Sequence, residues 1–280
     1  MKARKSPSLS STQFRQLLSV VMPAVKAAGE LTIKRQRRIA IQHKLDGSEV
    51  TTADRAAERL LRKSLAAAWP DDSILGEEYG GSVAQRGRSW LIDPIDGTAS
   101  YVLGLGTYGS MLSLLIDGKP VFGCIHLPAM GETTYAAVGH GCWLQPDSGR
   151  PRQVHVAPPR PYAKANTGLT SYKQTDLFRP PGPWQISKLI GSIGRVRLVG
   201  DCVQYALLCR GELDAAVDPR MSAWDIAALV VCVREAGGSV SDFSGSEDNL
   251  LQASTFVAAS SSTLRRAMCR QLAPRKAAAT

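Results

Sequence analysis

A chain of 280 residues that is 44% hydrophobic and 21% charged can bury one large core or two modest ones, which excludes a mainly disordered protein. Its net charge of +10 at pH 7 favours acidic partners such as phosphate esters or nucleic acid. Much of that excess lies near the ends and after the first helix, so charge alone does not define a nucleic-acid binder. No run approaches the roughly 18 apolar residues of a membrane span, and the basic start MKARKSPSLS lacks the apolar stretch of a secretory signal, so the expected location is cytoplasmic.

In chain order, Phe14, Leu17, Leu18, Val21, Val25 and Ala28 recur at helical spacing and predict an amphipathic helix over 12–33, with Pro23 kinking or dividing it. A second helix is predicted over 52–68, from the stripe of Leu60, Leu61 and Leu65 and a capping box formed by Thr51 and Asp54. The period then changes. Segments 89–92 and 111–116 read as strands, Asp117-Gly118 as a tight turn into a strand over 121–127, and 133–138 as the next strand of an antiparallel meander. Pro, Ser, Gly and Arg gather over 145–161, the expected crossing between an N-terminal α+β half (1–150) and a C-terminal α/β half (151–280). Turn formers crowd 167–183. Strands at 195–199, 213–217, 239–243 and 255–259 then alternate with helices at 203–209, 224–236 and 262–272, which predicts a layered α/β arrangement.

Six cysteines lie in apolar surroundings with no CxxC spacing, and read as buried thiols, not as a zinc site or a disulfide frame. The four histidines are dispersed as well.

The carboxylates carry more information. In WLIDPIDGTAS, Asp93 follows Leu91 and Ile92 at the end of the predicted strand, Pro94 fixes φ, and Gly97 tolerates close backbone approach. Two carboxylates and a free carbonyl can converge there, and Mg²⁺ shared with a substrate phosphate would turn their repulsion into attraction. Amides near Gly97 and Thr98 would open a helix and favour an anion. The same residues also suit a plain turn in which Asp caps a helix. Glu77 and Glu78 likewise follow the apolar pair Ile74-Leu75, and Asp225 begins a helix after Ser222 as in a capping box.

GEE at 76–78, DPIDGT at 93–98 and WD at 224–225, in that order, resemble the inositol monophosphatase superfamily of Mg²⁺-dependent, lithium-sensitive phosphatases. The likeness runs from DGSEVTTADRAAE at Asp46 to EAGGSVSD at Asp242. It implies a layered αβαβα sandwich, commonly dimeric, that binds two or three Mg²⁺. By the same resemblance Glu77, Asp93 and the carbonyl of Ile95 hold one ion, and Asp93, Asp96 and Asp225 a second. Glu77 helps a third, looser ion, and Asp54 pairs with Thr98 to orient the attacking water. Gly97 and Thr98 would meet the phosphate. Ser100 and Tyr101 stand where the family usually has Asn and an aromatic after DGT-x.

Within the superfamily, ILGEEYG, GTYGSMLSLL and GDCVQYALLCRGELDAAVDPRMSAWD look most like the histidinol-phosphatase branch, although Val203 stands where that branch often has an aromatic. Gly200, Asp201, Cys202 and Asp218 would line the pocket for the alcohol part of a small phosphate ester, and a cationic alcohol such as histidinol suits the charge of Asp201. This reading makes the protein a histidinol-phosphate phosphatase of histidine biosynthesis. Its alternatives are an inositol-1-phosphate or broad sugar phosphatase, a weaker 3′,5′-bisphosphate activity, or a phosphatase-like module that binds RNA or protein.

Overall fold

The computed structural model describes residues 7–37, 41–43, 49–170 and 184–274. Most of the turn-rich stretch 167–183 lies outside these residues, except for its first strand. Helix α1 (Ser11–Arg35) starts at a capping box between Ser10 and Gln13 and buries Phe14, Leu17, Val21, Val25 and Ala28. Pro23 lies inside it without dividing it. The loss of one backbone hydrogen bond there is offset by a face that packs on the first sheet along its length. Helix α2 (Thr52–Ala68) has the expected bounds and the expected Thr51–Asp54 box.

A two-stranded ladder, β1 (Ile41–His43) with β2 (Glu49–Thr51), leads into α2. The larger sheet contains β3 (Ser73–Gly76), β4 (Gly80–Gly81), β5 (Arg88–Asp96), β6 (Gly109–Ile116), β7 (Lys119–Leu127), β8 (Glu132–Ala137), β9 (Cys142–Pro146) and β10 (Arg152–Val154). Its order is β10-β9-β8-β7-β6-β5-β3-β4, antiparallel except for the parallel pair β3 and β5. The β6–β7 turn places Asp117 at φ 50° and Gly118 at φ 72°, the positive pair of a two-residue hairpin turn. The first part of the 145–161 stretch closes the β9–β10 hairpin, and its later part enters the crossing between the sheets. Because β10 still pairs with β9, the passage to the second sheet begins after Val154.

The second sheet holds β11 (Asn166–Leu169), β12 (Arg195–Leu198), β13 (Ala215–Asp218), β14 (Ser239–Ser241) and β15 (Phe256–Ala259), in the order β12-β11-β13-β15-β14. The remaining helices are α3 (Thr98–Val102), α4 (Ile186–Ser192), α5 (Asp201–Cys209), α6 (Ala223–Glu235) and α7 (Ser262–Leu272).

Side-chain alternation along the strands fixes the layers. Trp90, Ile92, Leu112 and Leu114 face α1 and α2, while Met111 and Ile125 face the other way, toward α5 and α6. In the second sheet Ala216, Phe256 and Ala258 meet α5 and α6, and Ala215, Val217, Val257 and Ala259 meet α4 and α7. The result is αβαβα. Helix α6 lies between two sheets, which explains why Ile226 to Val233 are all buried and no polar face remains. It also explains Gly123: a Cβ there would lie 2.3 Å from the carbonyl oxygen of Ala228.

All six cysteines are free and buried, as their surroundings predict. One buried histidine has a consequence for stability. His126 is 2% exposed, its Nδ1 lies 2.9 Å from Thr133 Oγ1, and burial lowers its pKa to about 4. The unfolded chain therefore takes up this proton near pH 6.5 and the folded chain only near 4. The contribution is full above pH 6.5 and is lost as pH falls through that window, by at most about 3 kcal/mol. Urea denaturation at pH 7 and pH 4.5 is expected to show a smaller pH-dependent loss for His126→Gln than for the wild-type chain.

Candidate active site

Strand β5 carries the opening motif, but it does not stop at Ile92 as its apolar run suggests. It continues to Asp96 with a register shift against β6 between Asp93 and Asp96. The carbonyl of Pro94 leaves the regular ladder and accepts from Ser110 Oγ at 2.7 Å. In a regular strand residues three apart point to opposite faces, and an irregularity of this kind lets both carboxylates turn to one side. Gly97 follows at φ 88°. A Cβ there would lie 2.7 Å from Asp201 Oδ2 and 3.0 Å from the Thr107 carbonyl oxygen, so glycine answers both the backbone conformation and the crowding. Helix α3 then begins at Thr98.

Asp225 arrives from the start of α6, where its Oδ2 accepts from the Ser222 N–H at 2.7 Å. Single carboxylate oxygens of Asp93, Asp96 and Asp225 all lie within 4.8 Å of one another. Glu77, just after β3, is tied to β5 by its own N–H, which donates to the Ile92 carbonyl at 3.1 Å. Together they line one open cleft of about 500 Å³, with Ile95, Gly97, Thr98, Asp201 and Asp218 also on its wall.

Asp54 stands behind that wall and is fully buried. Its Oδ2 accepts the Thr51 N–H at 2.8 Å within the capping box, and its Oδ1 faces Thr98 Oγ1 at 3.3 Å. The Thr98 hydroxyl also lies 3.0 Å from the Ile95 carbonyl oxygen. It has one hydrogen, so it can donate to only one of the two at a time.

Asp201, the first residue of α5, adopts φ 53°, a sparsely populated conformation for a non-glycine residue. Its carboxylate does not cap the helix. It lies 3.4 Å from Ser100 Oγ and 3.5 Å from Thr170 Oγ1. Gly200 and Cys202 do not line the cleft. Cys202 instead supplies its backbone N–H to Asp96 Oδ2, and its side chain is buried against Gly109. Thr170, Arg220, Met221 and Ser222 also line the cleft. Ser222 is legible only as a capping residue and Thr170 follows no local pattern, since both are placed by the way loops meet.

The electrostatics follow from crowding. Burial pushes Asp93 well above the usual carboxylate range, and the charges of Glu77, Asp96 and Asp225 push it further. Asp96 is raised by burial and then by Asp201, Asp225 and Asp218. Asp225 is raised to about 7, mainly by burial, and Asp201 to about 6 for the same reason. Asp93 Oδ1 is buried with no hydrogen-bond partner. Buried polar atoms are nearly always satisfied, and a carboxylate oxygen facing three other acids is suited to a cation. The donor set is all oxygen, which fits a hard ion such as Mg²⁺ and not a thiophilic one.

The class of protein to which this layered αβαβα sandwich and its acidic cleft belong is given by the sequence comparison: the inositol monophosphatase family, whose members are generally metal-dependent, matches residues 13–276. The chain belongs to that family and is a phosphomonoesterase. Among its relatives, a histidinol-phosphatase of Mycobacterium tuberculosis is 38% identical over 208 residues, 74% of this chain and 79% of the relative. A histidinol-phosphatase of Chlorobaculum parvum is 37% identical over 230 residues, 81% of this chain and 86% of the relative. The structure of an IMPase from Thermotoga maritima superposes with a TM-score of 0.80 at 28% identity, covering 91% of this chain and 96% of its own. Among the described residues, no helix is long and apolar enough to cross a membrane.

Proposed function

We propose that the chain is a Mg²⁺-dependent histidinol-phosphate phosphatase. The observation that carries the metal part is the orphaned, buried Asp93 Oδ1 among converging carboxylates. Glu77, Asp93, the Ile95 carbonyl, Asp96 and Asp225 would hold two or three ions, drawn from the N-terminal and the C-terminal parts of the chain. Bound there, Mg²⁺ supplies neutralisation of the phosphate charge, a lowered pKa for water and support for the leaving alkoxide. Asp54 and Thr98 hold and orient the water for in-line attack, with Asp54 Oδ1 placed to accept a hydrogen bond from the Thr98 hydroxyl. The amides at Gly97 and Thr98 position the phosphate. No covalent phosphoenzyme is needed.

The substrate part draws support from the names of the relatives and from the acids that line the cleft beside Asp96 and Gly97. Asp201 and Asp218 both stand there, and with its pKa at about 6 Asp201 is mostly ionised at neutral pH. An alcohol bearing an ammonium is attracted to that wall, whereas neutral inositol gains nothing from the charge. Phosphate release from histidinol phosphate and inositol-1-phosphate, measured in parallel with Mg²⁺, tests the assignment. For Asp201→Asn, kcat/KM for histidinol phosphate is expected to fall about 10-fold, the scale of one partly exposed charge contact, with a change within about 2-fold for inositol phosphate. Equal losses on both would remove the charge argument. The family resemblance also supports a cytoplasmic homodimer that is inhibited by lithium.

A further inference from the structure

Helix α2 carries a second acid, one turn after Asp54, that the chemistry above does not use. Glu58 is fully buried. Its Oε2 accepts the Glu78 N–H at 2.7 Å, and its Oε1 accepts the Tyr79 N–H at 3.3 Å and Arg62 Nε at 2.7 Å. The Arg62 guanidinium also donates to the Gly80 carbonyl. One carboxylate thus holds the two backbone amides that follow Glu77, while the arginine that neutralises it holds the end of the same turn. Gly76, just before Glu77, lies against it: a Cβ there would be 2.1 Å from Glu58 Oε1. With the Glu77 N–H tied to β5, the backbone of Glu77 is clamped from both sides.

We propose that Glu58, braced by Arg62, is a positioning residue that fixes Glu77 for metal binding, an inference that rests on Glu77 being a metal ligand as proposed above. Three donors converge on two oxygens, so the site requires an acceptor-only group. A Gln would turn an amide N–H toward one of the donors and lose the charge that Arg62 answers. Groups that orient metal ligands are typically worth about 10–100-fold in metal affinity.

The test is direct binding of Mn²⁺, followed as loss of its free-ion electron paramagnetic resonance signal, beside thermal unfolding of the same samples. Glu58→Gln is expected to weaken the tightest Mn²⁺ site about 10-fold, and Arg62→Met, at a half-buried and more tolerant position, about 3-fold. Glu58→Gln made in a Glu77→Gln background is expected to change affinity by less than about 2-fold, because the two act through one ligand. A lowered unfolding temperature with unchanged Mn²⁺ affinity in either single variant would assign a purely structural role and overturn the inference. A further 10-fold loss in the Glu77→Gln background would overturn it too, by placing the action elsewhere. Absence of saturable Mn²⁺ binding in the wild-type chain would instead remove the metal reading of the cleft, and this inference with it.

Discussion

Asp93→Asn is expected to lower kcat by about 10³-fold or more and, in the absence of divalent cations, to raise the unfolding temperature. Both effects come from the same crowding. Asp93 is the member of the cluster that feels Glu77, Asp96 and Asp225 together, and its buried Oδ1 has no other partner. Removing it deprives two proposed ion sites of a shared ligand, and several kcal/mol of transition-state charge stabilisation correspond to about a thousandfold in rate. The stability effect has the opposite sign because the metal-free chain must bury repelling charges. For acids whose folded pKa is raised, stability is fully present below the unfolded value and is lost as pH rises through the folded one, here a window from about 4 to about 7 for Asp225. Wild-type protein in EDTA is therefore expected to unfold at lower temperature at pH 8 than at pH 5.5, a trend that Mg²⁺ reverses. In Asp93→Asn both the slope and the Mg²⁺ rescue shrink. Scanning calorimetry over pH with and without Mg²⁺ measures this, and an equally steep slope in the variant would contradict the assignment of the repulsion to Asp93.

Asp54→Asn is the second large effect: kcat is expected to fall about 10²-fold or more, the usual range for a lost proton-handling group, while the Mg²⁺ concentration for half-maximal rate moves by less than about 3-fold. This split follows from position. Asp54 lies behind the cleft, joined to it through Thr98, so in the proposed mechanism it bears on the water and not on the ions. Its other oxygen caps α2. An amide there would set an N–H against the Thr51 donors, which costs stability by about 1–2 kcal/mol. Thr98→Ala, which spares the cap, is expected to show the rate loss without that penalty, and the two substitutions together to lose little more than either alone. Steady-state rates as a function of Mg²⁺, with urea denaturation of each variant, separate these terms. A large shift in Mg²⁺ dependence for Asp54→Asn would move Asp54 into the metal shell.

The helices with strong periodicity and caps are legible from local chemistry. The bounds of α2 follow from Thr51 and its leucine stripe, and the β6–β7 turn follows from Asp117-Gly118. Strands β3, β9 and β10 carry too few alternating residues to stand out, and are formed by pairing with neighbours already in the sheet. The reach of β5 past Pro94 to Asp96 is likewise invisible in its apolar run, since it depends on a register shift against β6. Pro23 shows the reverse case: a residue that locally argues for a break sits in a continuous helix because a whole face of α1 is buried.

By itself the sequence determined which acids are available, Glu77, Asp93, Asp96 and Asp225, and that each sits at the edge of an apolar segment, because caps, turns and hydrophobic periods are local. Only the tertiary structure decided that these edges meet. The β5 irregularity aims two carboxylates into one cleft, the packing of α6 between two sheets delivers Asp225 from 129 residues beyond Asp96, and the Glu58 clamp holds the turn that bears Glu77. Like charges approach this closely only where a buried framework opposes their repulsion, and that framework is built from contacts far apart in the chain.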